Sequence, residues 1–287
     1  SVEQDPMVYG SNPETMSWCA FNYTNQLTAI RSAAPEGVEI AITTWPSADP
    51  VKSDMCTIQT VLFPSIAVDR RINTDIYYTL ETDNVSCGRD VAKAIAMLTL
   101  KDENGNDAEE GSVEILKCVG NMTSSAVRDR MSGLNEELAY WPHLKVIGEP
   151  SVESNIEKVY NAVLDGFKTN PDIKAIFVVG DNQVAPVVSA LKEMDRLYPV
   201  DDPRHVIVAS VDGISSVLKG IQAGENDIVA NQRFDLFCYD ILSLCQDYFN
   251  GDTSSMGVNS KLPTTIVVRQ NLEYLKQQGL LWAMPAE

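Results

Sequence analysis

The stretch Asn170-Pro171-Asp172-Ile173-Lys174-Ala175-Ile176-Phe177-Val178-Val179-Gly180 sets the reading of the whole chain. Asn-Pro stops a helix, because the proline ring restricts the residue before it to extended backbone. The apolar, β-branched run that follows, Ala175–Gly180, is too short for a helix and reads as a strand buried on both faces. Downstream the pattern repeats as a helix over Ala185–Asp195, a strand over Val206–Val211, a helix over Ile214–Ala223 closed by Gly224, and a strand over Asp227–Ala230. Short apolar strands alternating with longer helical patterns predict parallel sheets covered by helices.

Working outward, the same alternation gives strands at Pro6–Gly10, Val38–Thr44, Ser65–Asp69, Ile76–Thr79, Ser112–Val119, Leu144–Glu149 and Thr264–Arg269. Helices are expected at Thr15–Ala33, Lys52–Leu62, Val85–Thr99, Ala126–Ala139, Ile156–Asn170, Phe234–Phe249 and Leu272–Gln278. Lys101–Gly111, Tyr198–Arg204 and Asn250–Lys261 read as solvated connections. One group of strands precedes Thr82, a second runs from Ser112 to Ala230, and a helix and strand follow Asn231. That spacing favours two doubly wound α/β lobes over a closed ring of eight units, and 287 residues suit two modest domains. Lobe 1 is assigned residues 1–82 and 232–262, and lobe 2 residues 83–231 and 263–287.

Composition narrows the function. Forty acidic against 22 basic residues give a net charge of −18, which repels phosphate backbones and argues against a nucleic-acid partner. Apolar runs fall far short of the roughly 20 residues of a membrane-spanning helix. The chain opens at Ser1 with no initiator Met, basic n-region or apolar h-region, so an export signal is expected to lie outside it. The six cysteines, Cys19, Cys56, Cys87, Cys118, Cys238 and Cys245, form no C-x-x-C pair. They read as buried small hydrophobes, with a structural disulfide as the alternative. His143 and His205 are the chain's two histidines, and neither has a candidate carboxylate or thiolate near it in sequence, which speaks against a His-centred metal or acid–base site. No G-x-G-x-x-G, Walker A or G-x-S-x-G motif is present, so no enzyme activity, cofactor or metal is expected.

In doubly wound folds, ligands bind beyond the carboxyl ends of the strands. Those ends read Ala67-Val68-Asp69-Arg70, then Glu81-Thr82-Asp83-Asn84 with Cys87-Gly88-Arg89-Asp90-Val91-Ala92, and then the helix Ser125-Ala126-Val127-Arg128-Asp129-Arg130-Met131-Ser132-Gly133-Leu134. Asn170–Phe177, Val208-Ala209-Ser210-Val211-Asp212-Gly213 and Ile228-Val229-Ala230-Asn231-Gln232 follow in order. Taken together, this series resembles the bacterial type I periplasmic sugar-binding proteins, the ribose- and galactose-binding family of ABC transport, over about residues 65–270.

The resemblance implies a receptor of two α/β lobes joined by a three-segment hinge. It would take up a monosaccharide or similar small polyhydroxylated ligand in an interlobe cleft, for delivery to an ABC permease or a membrane sensor. It further implies an extracytoplasmic monomer, with a lipid anchor, where there is one, in a segment outside this chain. The ligand-sensing core of a LacI-type transcription regulator is the alternative on the same fold; its helix-turn-helix is missing from this sequence. A sugar hydroxyl donates one hydrogen bond and accepts two, so carboxylates, guanidinium or amide donors and an aromatic face suit it.

The residues that match the family's ligand contacts are Asp69 and Arg70 in lobe 1 and Arg130, Asp212 and Asn231 in lobe 2. Adjacent on a strand end, Asp69 and Arg70 are expected to point apart rather than to pair. Arg130 is read as a donor or as a brace on a surface helix, and Arg128 as a brace. Asp212 is read as a ligand acceptor or as the N-cap of the next helix. Asp83 and Asn84 are read as hinge and capping residues. Trp18 and Trp45 are the aromatic candidates, with Phe21 behind them, and each could instead be core.

The sequence departs from the family at three places. About Glu153, where the family carries an aromatic, this chain has a carboxylate. After strand Ala175–Val179 it has Gly180-Asp181-Asn182, which leaves Asp181 or Asn182 as a shifted polar contact. Between Val38–Thr44 and Ser65–Asp69 there is room for a single helix, one β-α unit fewer than the family has.

Overall fold

The computed structural model describes residues 40–44, 64–72, 76–102, 104–153 and 155–284, together with the backbone of 7–8 and 17–18. By contacts the chain divides into two compact units. One comprises Ser1–Thr82, Thr123–Ala126 and Phe234–Leu262; the other comprises Asp83–Met122, Val127–Arg233 and Pro263–Glu287.

In the larger unit, strands β6 (Val113–Cys118), β7 (Leu144–Gly148), β8 (Ile173–Val178), β9 (Ile207–Asp212), β10 (Ile228–Asn231) and β12 (Thr265–Val267) form one six-stranded sheet. Its order is β12-β10-β9-β8-β6-β7, parallel throughout except for the antiparallel pair β10–β12. The helices are α1 (Asn84–Leu98), α2 (Ser125–Leu138), α3 (Ile156–Thr169), α4 (Val184–Glu193), α5 (Ser215–Ala223) and α7 (Leu272–Gln277), with a 3-10 turn at Asp181–Gln183 before α4. Alternation along β8 explains why its sequence is apolar at nearly every position. Ile176 and Val178 enter a core with Val163, Val187 and Leu218, while Ala175, Phe177 and Val179 enter a second core with Ile95, Met131 and Leu134. Burying a side chain such as Phe177 contributes about 2–3 kcal/mol.

Helix starts and stops follow from side chains. Asp83 caps α1 by accepting from the Ser86 amide (3.2 Å), which fits the capping role expected for it. Asn155 caps α3, and Gly224 ends α5 at φ +76°, where a Cβ would be strained. Helices α1 and α2 cross at glycines. A Cβ on Gly88 would lie 2.0 Å from the Arg130 carbonyl oxygen, and one on Gly133 would lie 1.9 Å from that of Val85. Backbone meets backbone at this crossing, and that fixes the depth at which α2 carries Arg130.

In the smaller unit, β3 (Ala41–Thr43), β4 (Ser65–Val68), β5 (Tyr78–Thr82) and β11 (Val258–Leu262) form a parallel sheet in the order β11-β5-β4-β3. Ile66 and Leu80 pack with Phe237 and Leu244 of α6 (Phe234–Phe249).

Three expectations are corrected here. The stretch Asn250–Lys261, read as a loop, contains most of β11. It is an edge strand whose residues are mostly exposed, so its sequence carries no apolar run to announce it. The helix expected from Thr15 does not hold at its start, because Ser17–Trp18 (β2) pairs antiparallel with Met7–Val8 (β1). The strand read at Ile76–Thr79 lies instead at Tyr78–Thr82, where its register with β4 is set. The helix expected at Lys52–Leu62 lies outside the described residues, as does Trp45, and of Trp18 only the backbone is described.

Among the described cysteines, Cys87, Cys118, Cys238 and Cys245 are free thiols. Burial pushes Cys87 and Cys118 up to about 12, which leaves them unreactive hydrophobes. Cys238 departs from the buried reading, since it lies on the exposed side of α6.

Candidate functional site

The carboxyl ends of β8, β9 and β10 gather four polar side chains of the larger unit around the turn Asp212-Gly213-Ile214. The central one is Asp212, the last residue of β9, at φ +127° and followed by Gly213 at φ +86°. A non-glycine residue in that region carries strain of about 1–3 kcal/mol and must be held by its surroundings. Its side chain remains partly accessible.

Arg130 reaches this turn from α2. Its side chain is buried, with Nε donating to Asn84 Oδ1 (2.8 Å), one terminal nitrogen to the Val179 carbonyl (2.6 Å), and the other 3.5 Å from Asp212 Oδ1. A guanidinium so fixed is preorganised as a donor, and it is no brace on a surface helix. Arg128 does act as a brace, donating to the Met122 carbonyl (3.0 Å).

Gln232 arrives from the end of β10, and its Nε2 donates to Asp212 Oδ1 over 2.6 Å. Its neighbour Asn231, expected as a ligand contact, ends β10 itself, and along a strand adjacent side chains face opposite ways. Asn231 is buried within the unit, donates to the Leu280 carbonyl (3.1 Å) and packs against Gly213, whose added Cβ would fall 2.2 Å from Asn231 Oδ1. Trp282 Nε1 donates to the Asp212 carbonyl (3.0 Å), tying the C-terminal segment to the same turn.

Asp181, expected as a shifted ligand contact, is buried instead and its acceptors are occupied. Ser210 Oγ donates to Oδ1 (2.6 Å), and the amides of Gly213 and Ile214 donate to Oδ2 (2.7 and 2.8 Å). Burial, then the charge of Asp212, push its carboxyl up to about 8, against the pull of those three bonds. Asp212 does not cap α5: the N-cap is Ile214, with no side-chain bond, and Asp181 accepts the Ile214 amide itself.

In the smaller unit Asp69 ends β4 at φ +70°, its amide bonded to the Leu80 carbonyl (2.8 Å). This left-handed residue undoes the alternation expected at a strand end, and Arg70 Nε lies 3.3 Å from Asp69 Oδ2, so the two pair after all. Nearby in sequence, Glu81 of β5 is wholly buried. It accepts from Arg71 (2.8 Å) and Asn259 Nδ2 (3.1 Å), with Lys261 Nζ at 3.9 Å.

Elsewhere the fold brings His205 to a carboxylate that is distant in sequence. Its Nε2 lies 2.8 Å from Asp227 Oδ1 and its Nδ1 lies 2.8 Å from the Tyr198 carbonyl. Both nitrogens face acceptors, so the ring ties a loop to the sheet. No group of three metal-ligating side chains occurs among the described residues. No helix among them is long and apolar enough to cross a membrane.

Comparison with known proteins bears on the whole arrangement. Among curated proteins, none matches the sequence. Solved structures do match at the level of fold. The periplasmic binding protein component of the arabinose ABC transporter from Shewanella sp. ANA-3, bound to α- and β-L-arabinofuranose, is 19% identical with a TM-score of 0.77, over 90% of this chain and 83% of that one. The fructose-binding periplasmic domain of a hybrid two-component system is 19% identical, TM-score 0.74, over 91% and 81%. A Caulobacter myo-inositol binding protein bound to myo-inositol is 19% identical, TM-score 0.74, over 88% and 82%. The family model described as periplasmic binding protein domain matches residues 25–253. By that match, the chain belongs to the periplasmic binding protein domain family.

Proposed function

We propose that the protein is an extracytoplasmic receptor for a small uncharged polyhydroxylated ligand, a monosaccharide or a cyclic polyol, serving ABC import or sensing. The observation that carries this reading is the pairing of a preorganised donor, Arg130, with a partly accessible acceptor, Asp212, at the carboxyl ends of parallel strands. A vicinal diol needs such a pair, since one hydroxyl donates to the carboxylate while a lone pair accepts from the guanidinium. Gln232 adds an amide that can serve as donor or acceptor. Proteins of related fold are described as bound to L-arabinofuranose, bound to myo-inositol and fructose-binding, and these ligands share a neutral ring edged with hydroxyls. A net charge of −18 agrees with a neutral ligand better than with an anionic one.

Asp69 and Arg70, Trp18 and Trp45 are proposed as further ligand contacts on the strength of the sequence resemblance. Binding alone accounts for the arrangement, and no catalytic step is assigned to it. We expect no cofactor, a monomeric state, and a permease or membrane sensor as partner. Thermal denaturation with L-arabinose, D-fructose and myo-inositol tests the reading. A ligand that binds the native state raises Tm by mass action, so a rise with one or more of them supports it. No shift with any of the three at millimolar concentration contradicts it.

A further inference from the structure

Asp181 and Asp212 clasp each other through the backbone. The Asp181 amide faces Asp212 Oδ2 (3.4 Å), and the Asp181 carboxylate takes the two amides that follow Asp212. We propose that Asp181 is the positioning residue of the site: it holds the Asp212–Ile214 turn in its left-handed geometry and so aims the Asp212 carboxylate. The inference rests on the reading that Asp212 meets ligand, but the device itself exists in the free protein.

Three observations support it. Asp212 stands at φ +127°, a conformation that an L-residue does not keep unaided. The amides of Gly213 and Ile214, which lead into α5, find their acceptor in Asp181 Oδ2, and Ile214, the N-cap, supplies no side-chain bond. Ser210, buried on β9, fixes the other oxygen.

The arrangement tolerates a neutral Asp181. Oδ2 keeps both amides while Oδ1 carries the proton toward Ser210 Oγ, which can accept as well as donate. The charged groups around it are Asp212, facing it from the end of β9, and Arg130 from α2, which sits against Asp212. Ionisation of Asp181 therefore places a second negative charge against Asp212, and the turn should report it.

The test uses the ligand-free protein. Amide resonances of Gly213 and Ile214 are followed by NMR from pH 5 to 10 in wild type, Asp181→Asn and Asp181→Ala, together with hydrogen exchange. The expected result is that the wild-type amides titrate on the alkaline side of neutrality and those of Asp181→Asn do not. Asp181→Ala exchanges the two amides roughly tenfold faster, and Asp181→Asn restores protection. Amides in Asp181→Ala that match wild type in shift and exchange would overturn the proposal, as would the same titration persisting in Asp181→Asn. Titration of L-arabinose, D-fructose and myo-inositol against Asp212→Ala separately tests the ligand reading, which can fail while the clasp stands.

Discussion

Gln232 Nε2 and Asp212 Oδ1 are hydrogen-bonded at 2.6 Å, and the Arg130 guanidinium lies 3.5 Å from the same oxygen. Two donors converging on one acceptor form a charge-balanced unit in the free protein. Replacing Gln232 by Glu sets a carboxylate against Asp212 and removes the donor. The expected outcome is loss of the ligand-induced Tm rise, together with destabilisation of about 1–3 kcal/mol from the unpaired buried group. Gln232→Glu that keeps both ligand response and stability would remove Gln232 from the site.

The glycine crossing of α1 and α2 sets where Arg130 enters. Gly133→Ala drives a Cβ against the Val85 carbonyl and must part the two helices. Overpacking of this kind costs about 1–3 kcal/mol. Chemical denaturation should show that loss, and the displaced Arg130 should weaken ligand binding as well.

His205 makes stability depend on pH in a definite direction. Burial lowers its pKa, but the Asp227 hydrogen bond and charge outweigh that, so the net shift is upward. A raised histidine pKa contributes stability that is complete below the unfolded value of about 6.5 and is lost as pH rises through the folded value. Asp227→Asn should therefore lower Tm most near pH 6 and least near pH 9. A deficit that widens toward alkaline pH would contradict the assignment.

Glu81 offers a test in the smaller unit. Its carboxylate is wholly buried and accepts from Arg71 and Asn259, so Glu81→Ala removes an acceptor from each. A loss of about 1–3 kcal/mol is expected, with Glu81→Gln recovering part of it. Equal stability of wild type and Glu81→Ala in urea would show that the cluster contributes nothing.

The larger unit is legible in sequence because its central strands β8, β9 and β10 are buried on both faces and read as largely apolar runs. Strand β11 is not, because at a sheet edge Val258, Asn259 and Lys261 are largely exposed and leave no apolar pattern. Among the candidate site residues, Arg130 and Asp212 stand in the motifs that carry the resemblance. Asp181 looked like a loop carboxylate, and nothing in sequence announces that it is buried beneath the next turn. Asn231 and Gln232 differ by one step of strand alternation, which sequence alone does not fix. The ion pair of Asp69 with Arg70 depends on a left-handed residue, and the residue type at that position does not reveal its φ.

The most direct test of the account is isothermal titration of L-arabinose, D-fructose and myo-inositol into the wild-type protein and into Asp212→Ala at pH 7. The account predicts one-to-one binding of at least one of them to the wild type, and an affinity at least a hundredfold lower in Asp212→Ala, whose fold is intact by circular dichroism. Undiminished binding in Asp212→Ala would contradict the site, and failure of all three to bind the wild type would contradict the receptor reading itself.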